Sequence, residues 1–153
     1  MVPGGRAGLT RVMAALGSVQ VGYFTPDYTA YQEALGLFAR ITPSPLLHRK
    51  INEALMSSEE FRFQASGRGL GAMLLSNPAN PTGQSLEGEE LNNYVTIARE
   101  LGLALLMDEF YSHYYVSAWT LKMLLIFRSD DERRWSTTSF FIYLGPNLAY
   151  ITV

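Results

Sequence analysis

Three polar side chains near the middle of the chain have the types and the placement of a ligand site. Asn80 lies in a proline-rich turn, and Asp108 and Tyr111 directly follow an apolar segment. An amide and a phenol can exchange hydrogen bonds with a ligand, and a carboxylate can pair with a cationic group. These residue types therefore predict a polar binding site, provided that the fold brings them together.

Two strands and a turn are predicted to carry these residues. The apolar segments 70–75 and 103–107 predict buried strands. Pro78 and Pro81 exclude a helix directly after the first strand and leave an ordered turn around Asn80. This turn is the first of the two elements that must position the polar site.

The segment between the two strands predicts a helix. Residues 91–101 carry apolar side chains at helical spacing, acidic residues precede them, and Gly102 is placed to end the helix. A strand, a helix and a strand in this order form a parallel βαβ unit in nearly all known cases. Because ligands of such sheets bind at the carboxyl ends of the strands, we expect Asn80 and Asp108 to emerge at that edge.

A second candidate site lies at the start of the chain. Gly4 and Gly5 predict a turn, and residues 6–16 predict a helix that Gly17 ends. A glycine turn before a helix presents free backbone N–H groups and the positive end of the helix dipole. The segment therefore predicts an anion site, to which Arg6 could add a positive charge.

The motifs NPANPTG and DEFY, which contain Asn80, Asp108 and Tyr111, resemble those of the large domain of class I/II aminotransferases. These are pyridoxal-phosphate (PLP) enzymes of fold type I. The resemblance implies that Asp108 pairs with the pyridine nitrogen and keeps it protonated, which makes PLP an electron sink. It also implies that Asn80 and Tyr111 contact the phenolic oxygen of the cofactor. Either motif alone could be only a turn or the end of a strand.

The same resemblance assigns cofactor-binding roles to residues nearer the start of the chain. It implies that Gly4, Gly5 and Arg6 hold the cofactor phosphate. It also implies that Tyr28, in a Pro-x-Tyr element, stacks on the pyridine ring. Tyr31 is the alternative stacking residue, although its helical spacing is more typical of a core side chain.

The catalytic lysine of the family has no counterpart in the expected place. In the family, a lysine beyond the aspartate forms a Schiff base with PLP and then moves a proton. The chain contains two lysines, Lys50 and Lys122. Lys50 precedes both motifs, and Lys122 lies too close to Asp108 and lacks the family pattern around it. No catalytic residue is therefore assigned, and the chain alone is expected to be inactive.

The resemblance divides the chain into two parts. Residues 1–116 are interpreted as a partial PLP-dependent aminotransferase large domain. Residues 117–153 are interpreted as a divergent tail, either frameshifted or unstructured, because the family pattern stops there. A natural but degenerate PLP-binding domain explains the same observations.

Two classes of function remain open at this point. The first is amino group transfer between an amino acid and a 2-oxo acid, with these small molecules as substrates and PLP as cofactor. The second is a truncated, non-catalytic PLP-binding fragment, and other fold type I PLP enzymes share the same motifs. Family members are homodimers, and the sequence leaves open whether this chain dimerises.

Composition excludes several other classes of protein. The formal net charge of −2 gives no electrostatic reason to expect nucleic acid or an anionic membrane as a partner. The chain has no cysteine, so no disulfide is possible, and no apolar segment is long enough to span a bilayer. We therefore expect a cytoplasmic protein without a metal site. His48 is interpreted as a surface residue and His113 as structural, although His113 could contact a substrate.

The fold class expected from these patterns is α/β. We expect a mostly parallel sheet of four or five strands flanked by helices, a fragment of the large domain of PLP-dependent transferases. Residues 19–24 predict a further strand and residues 26–38 a helix. Residues 42–45 predict an extended connection, and residues 46–63 predict a helix that turns Phe63 inward.

Overall fold

The computed structural model describes residues 5–47, 56–111, 139–144 and 147–152 as an α/β fold, which confirms the predicted class. Gly4, His48, Lys50, His113 and Lys122 lie outside the described residues, so what the sequence predicts for them stays a prediction. In chain order the elements are α1 (Gly5–Ala15), β1 (Val19–Thr25), α2 (Ala30–Gly36), β2 (Ile41–Leu47), α3 (Ser58–Gly67), β3 (Ala72–Ser76), α4 (Gly88–Leu101), β4 (Ala104–Asp108), β5 (Ser139–Leu144) and β6 (Asn147–Thr152).

The strands form one sheet in the order β2-β1-β3-β4-β5-β6. The first four are mutually parallel, which confirms the prediction of a mostly parallel sheet. β5 and β6 continue the sheet beyond β4 in antiparallel orientation. Both lie in the segment 117–153 for which the sequence predicts a divergent tail.

The predicted βαβ unit is present as β3, α4 and β4. Ser76 and Asp108, the last residues of the two strands, are register partners. Gly102 ends α4 with φ 63°, a left-handed conformation that costs glycine little because it has no Cβ. The chain therefore leaves β3 toward Asn80 at the same edge of the sheet at which Asp108 lies.

Apolar side chains pack on both faces of the parallel strands. In β3, Met73 and Leu75 belong to the core beneath α3 and α4, whereas Leu74 belongs to the core beneath α1 and α2. Every residue of β3 is buried. Burial on both faces explains why this strand reads as a continuous apolar segment rather than an alternating one.

The predicted extended connection at 42–45 is wrong, because these residues lie inside β2. This strand is at the edge of the described sheet and pairs with β1 on one side. Pro43 and Pro45 have no N–H, and a strand tolerates proline where that N–H would point away from its neighbour. The outward carbonyl of Pro45 accepts a hydrogen bond of 3.0 Å from Arg68. β2 is therefore a proline-protected edge.

Two predicted helices have different bounds in the structure. The helix predicted from residue 46 begins at Ser58, where the Ser57 hydroxyl accepts a hydrogen bond from the N–H of Glu60. Phe63 is 66% exposed, so the prediction that it turns inward is wrong. The helix predicted from residue 26 begins only at Ala30, because the residues before it form a turn.

The end of α1 is stabilised differently from the prediction. Gly17 does not adopt the left-handed conformation that caps a helix. Instead, the side chain of Arg40 donates hydrogen bonds to the backbone carbonyls of Leu16, at 2.7 Å, and of Ala14. A cationic side chain at the helix C-terminus satisfies free carbonyls and complements the dipole.

Within the described ranges, no helix is both long and apolar enough to cross a membrane.

Candidate functional site

A cavity of about 250 Å³ opens where the carboxyl ends of β3 and β4 approach the N-terminus of α1. It is slightly smaller than typical small-molecule sites, which begin at roughly 300 Å³. Six residues that the sequence predicts as site residues line this cavity: Gly5, Arg6, Tyr28, Asn80, Asp108 and Tyr111. The fold therefore brings together two groups of residues that the sequence could relate only through a resemblance. Four more residues complete the lining: Leu9, Tyr31, Ser76 and Phe110.

Asp108 ends β4 and forms the acidic part of the cavity. Its Oδ2 accepts a hydrogen bond of 2.8 Å from the hydroxyl of Tyr31, and its Oδ1 accepts one of 3.1 Å from the N–H of Phe110. Burial raises the pKa of Asp108, and the two hydrogen bonds lower it in part. The carboxyl group is thus held in one orientation, in a setting where pairing with a buried cation would favour its ionised form.

Tyr31 lines the cavity and supports Asp108. Its side chain is completely buried, as the core interpretation predicts. Burial, together with the charge of Asp108, raises the pKa of Tyr31, so its hydroxyl stays protonated and donates. Tyr31 therefore combines a core position with a polar function that its spacing did not reveal.

Asn80 lies in a loop that is fixed at several points. Its N–H donates a 3.0 Å hydrogen bond to the hydroxyl of Ser76. The Asn77 side chain exchanges two hydrogen bonds with the backbone of Leu86, of 2.8 Å and 3.1 Å. Ala79 also donates to the carbonyl of Gln84 at 2.7 Å. These hydrogen bonds fix the loop before and after Asn80 and so hold Asn80 at the cavity.

Asp27 is a buried acid that sequence reasoning missed. It is 9% exposed and accepts hydrogen bonds from the N–H of Tyr28, at 2.7 Å, and from the N–H and hydroxyl of Ser76. Burial raises the pKa of Asp27 to about 6, against the lowering effect of these hydrogen bonds. The sequence did contain a signal for Asp27: it comes shortly after the apolar segment 19–24, much as Asp108 follows the apolar segment 103–107.

Arg6 and Tyr28 form the opposite side of the cavity. Arg6 lies in the first turn of α1 and donates a hydrogen bond of 3.1 Å to the Tyr28 hydroxyl. This hydrogen bond raises the pKa of Arg6, which keeps its charge. The ring of Tyr28 meets that of Tyr31 edge to face, with centroids 5.5 Å apart. An aromatic ring and a positive helix end therefore face the same space.

The cavity has a chemical polarity that limits its ligands. Arg6 and the N-terminus of α1 favour an anionic group, whereas Asp108 favours a cationic or hydrogen-bond-donating group. Asn80 lines the same space and can both donate and accept. A ligand that fits this arrangement carries an anionic group and a cationic or hydrogen-bond-donating group.

Comparison with known protein families identifies the chain. The sequence profile described as "Aminotransferase class I and II" matches residues 4–139. The chain belongs to the class I and II aminotransferase family. This match spans most of the chain and confirms the resemblance that the motifs around Asn80 and Asp108 indicate. A search of curated proteins found no significant match.

Solved structures of two aminotransferases and of cystalysin share this fold. An aspartate aminotransferase from Rhodobacter sphaeroides aligns with a TM-score of 0.65 at 24% identity, covering 76% of this chain and 31% of that one. N-succinyldiaminopimelate aminotransferase from Mycobacterium tuberculosis aligns with a TM-score of 0.59 at 23% identity, covering 71% and 28%. Cystalysin from Treponema denticola, whose structure contains pyridoxal 5'-phosphate, aligns with a TM-score of 0.55 at 19% identity, covering 66% and 26%. The chain thus spans less than a third of the length of these structures.

The exposed part of the cavity lining is aromatic. Phe110 and Tyr111 meet edge to face with centroids 4.9 Å apart, and they are 45% and 40% exposed. No lysine is among the described residues that line the cavity. The two lysines of the chain, Lys50 and Lys122, lie in segments that the structure does not describe. Likewise, the described ranges contain no cluster of three residues able to hold a metal ion.

Proposed function

We propose that this chain binds pyridoxal 5'-phosphate in the cavity between α1, β3 and β4, as part of an aminotransferase domain. The observation that carries this proposal is that Asn80 and Asp108 share a cavity with the N-terminal turn of α1. Membership of the family and the PLP-containing structure of cystalysin support the choice of cofactor. Cytoplasmic location and homodimer formation remain predictions from the sequence and the resemblance.

The residues present fit PLP by the types and positions of their polar groups. Gly5 and Arg6 lie at a helix N-terminus, which suits the cofactor phosphate, and Gly4 is proposed to share this role. Asp108 would hold the proton of the ring nitrogen. Asn80 and Tyr111 would bind the phenolic oxygen of the ring.

The chain contributes orientation and electrostatics to the reaction. PLP supplies an electron sink when it is bound. Asp108 would hold a proton on the ring nitrogen, and Tyr31 keeps the Asp108 carboxylate oriented through its 2.8 Å hydrogen bond. Tyr28 would limit rotation of the ring by contact with its face. Asn80 and Tyr111 would orient the ring through hydrogen bonds to its phenolic oxygen.

Amino group transfer between an amino acid and a 2-oxo acid is the proposed reaction of the complete domain. A lysine is needed to move the proton in that reaction. Because neither Lys50 nor Lys122 lies where the family places this lysine in the sequence, we propose that these 153 residues alone bind PLP without turning it over. Of the two functions left open by the sequence, we therefore favour the non-catalytic PLP-binding fragment for this chain. The choice does not depend on which fold type I reaction the complete domain catalyses.

Titration with PLP tests the proposal. We expect saturable binding, followed by the near-ultraviolet and visible absorbance and circular dichroism of the cofactor. Asp108→Asn should weaken binding by at least about tenfold, because a buried charge pair is lost. Glu89→Gln, which removes one negative charge from an exposed site on α4, is the matched control and should bind normally.

Two results would count against the proposal. Equal PLP affinity of Asp108→Asn and the unaltered chain would show that the cavity is not the site. Borohydride reduction that attaches the cofactor to Lys50 or Lys122 would show covalent binding, and turnover of an amino acid would then overturn the non-catalytic interpretation.

A further inference from the structure

A chain of hydrogen bonds links Asp27 to the loop that carries Asn80. The Ser76 hydroxyl donates to Oδ1 of Asp27, and the Ser76 N–H donates to Oδ2 over 3.3 Å. The same hydroxyl accepts the N–H of Asn80 at 3.0 Å. Asp27 and Ser76 are only 9% and 4% exposed, so bulk water does not replace these contacts.

The direction of these hydrogen bonds makes Asn80 depend on Asp27. A serine hydroxyl has one proton, and a carboxylate can only accept. When that proton points to Asp27, a lone pair of the hydroxyl remains for the N–H of Asn80. Without an acceptor at residue 27, the hydroxyl can rotate and turn its proton toward another group, which weakens the contact with Asn80.

Asp27 also sits at the right place to link three elements. It follows β1, and its Oδ1 accepts the N–H of Tyr28 at 2.7 Å. Ser76 ends β3 and is the register partner of Asp108 at the end of β4. The described cavity lining includes Tyr28, Ser76 and Asn80 but not Asp27. Any effect of Asp27 on a ligand in the cavity therefore passes through these neighbours.

We propose that Asp27 is a positioning residue that, through the Ser76 hydroxyl, holds the Asn80 segment in place for ligand binding. This inference rests on the PLP-binding function proposed above. Asp27 and Ser76 would then fix the position of the Asn80 side-chain amide relative to PLP, in addition to any contribution to stability.

Amide hydrogen exchange, measured by NMR on the ligand-free full chain, tests the geometry directly. The Asn80 amide should be protected in the unaltered chain. Ser76→Ala and Asp27→Ala should each accelerate its exchange by roughly fivefold, the effect of one lost hydrogen bond. Ser44→Ala is the matched control, since Ser44 is a strand serine, 5% exposed, in β2. It should leave Asn80 unchanged.

PLP affinity tests the positioning role. Ser76→Ala and Asp27→Ala should weaken PLP binding by roughly tenfold. In an Asn80→Ala background, the same substitutions should have no further effect, because the group that they position is gone. If Asp27 and Ser76 had a purely structural role, their effects on PLP affinity would add to that of Asn80→Ala and would follow the change in melting temperature. Ser44→Ala shows how far PLP affinity falls with melting temperature alone.

The outcomes separate this inference from the proposed function. Failure of the unaltered chain to bind PLP would overturn both the proposed function and the positioning role. Protection of the Asn80 amide that is lost in Ser76→Ala would still support the hydrogen bonds between Asp27, Ser76 and Asn80. Unprotected Asn80 in the unaltered chain, which needs no variant, overturns the inference even when PLP binds. So does unchanged Asn80 exchange in Asp27→Ala, or additivity with Asn80→Ala.

Discussion

The hydroxyl of Tyr31 donates a hydrogen bond of 2.8 Å to Oδ2 of Asp108, across 77 residues of sequence. This hydrogen bond joins α2 to the end of β4 and orients the only carboxylate among the described residues that line the cavity. The pKa of Asp108 is raised by burial and lowered in part by this hydrogen bond. Tyr31 is thus a determinant of the charge in the site.

Removal of this hydroxyl should change both titration and stability. In Tyr31→Phe, we expect the pKa of Asp108 to rise further and the free energy of unfolding to fall by about 1 kcal/mol. Carboxyl carbon NMR gives the pKa, and denaturant unfolding gives the stability. Tyr94→Phe is the matched control, because its buried hydroxyl donates to the Met56 carbonyl at 2.6 Å on the other face of the sheet. It should lower stability and leave the pKa of Asp108 unchanged.

Glu109 should make the protein less stable as the pH rises. Burial, with a smaller effect from the charge of Asp108, raises the pKa of Glu109 from its ordinary 4.5 to about 8. A raised acid pKa means that the folded state binds more protons, so this stabilisation is full below pH 4.5 and is lost as the pH rises through about 8. Asp27, with a pKa raised to about 6, should contribute in the same direction at lower pH.

The substitution Glu109→Gln checks this dependence. A glutamine is neutral at every pH, so the fall in melting temperature between pH 5 and pH 9, roughly the range spanned by the two pKa values, should be smaller than in the unaltered chain. Glu59→Gln, at an exposed acid in the first turn of α3, should keep the original dependence. An identical pH profile for Glu109→Gln would mean that this carboxyl group is not buried.

Arg40 should stabilise the end of α1. Its side chain donates to the carbonyls of Leu16 and Ala14 and lies 5.4 Å from the ring centre of Phe38. We expect Arg40→Ala to lower the free energy of unfolding by about 1 kcal/mol, measured by denaturant titration. Arg11→Ala, at an exposed arginine within α1, should change it far less. Equal effects of the two substitutions would argue for a general charge effect.

The prolines of β2 should keep the sheet edge from associating. The double variant Pro43→Val, Pro45→Val restores two N–H groups at the unpaired edge of the described strand and keeps its apolar character. We expect more self-association, measured by light scattering against protein concentration. Thr42→Val adds a similar apolar side chain but no N–H and should scatter like the unaltered chain. If both variants associate equally, apolar surface rather than backbone pairing is responsible.

Local features were readable because their causes act over a few residues. The helical spacing before Gly102 and the need of that position for a left-handed conformation predicted α4 and its end. The strand at 42–45 was missed, because two prolines argue against a strand unless it lies at a sheet edge. Whether a strand is at an edge depends on the order of the whole sheet.

The sequence by itself determined the α/β class, the βαβ unit and the placement of Asn80 and Asp108 after its two strands. Apolar periodicity and turn-forming residues specify these features locally. Only the tertiary structure decided which side chains orient them. Tyr31 reaches Asp108 across 77 residues, and Asp27 reaches Ser76 across 49. No local pattern encodes such pairs, since each depends on where parallel strands end relative to one another. The chemical character of the cavity comes from that packing.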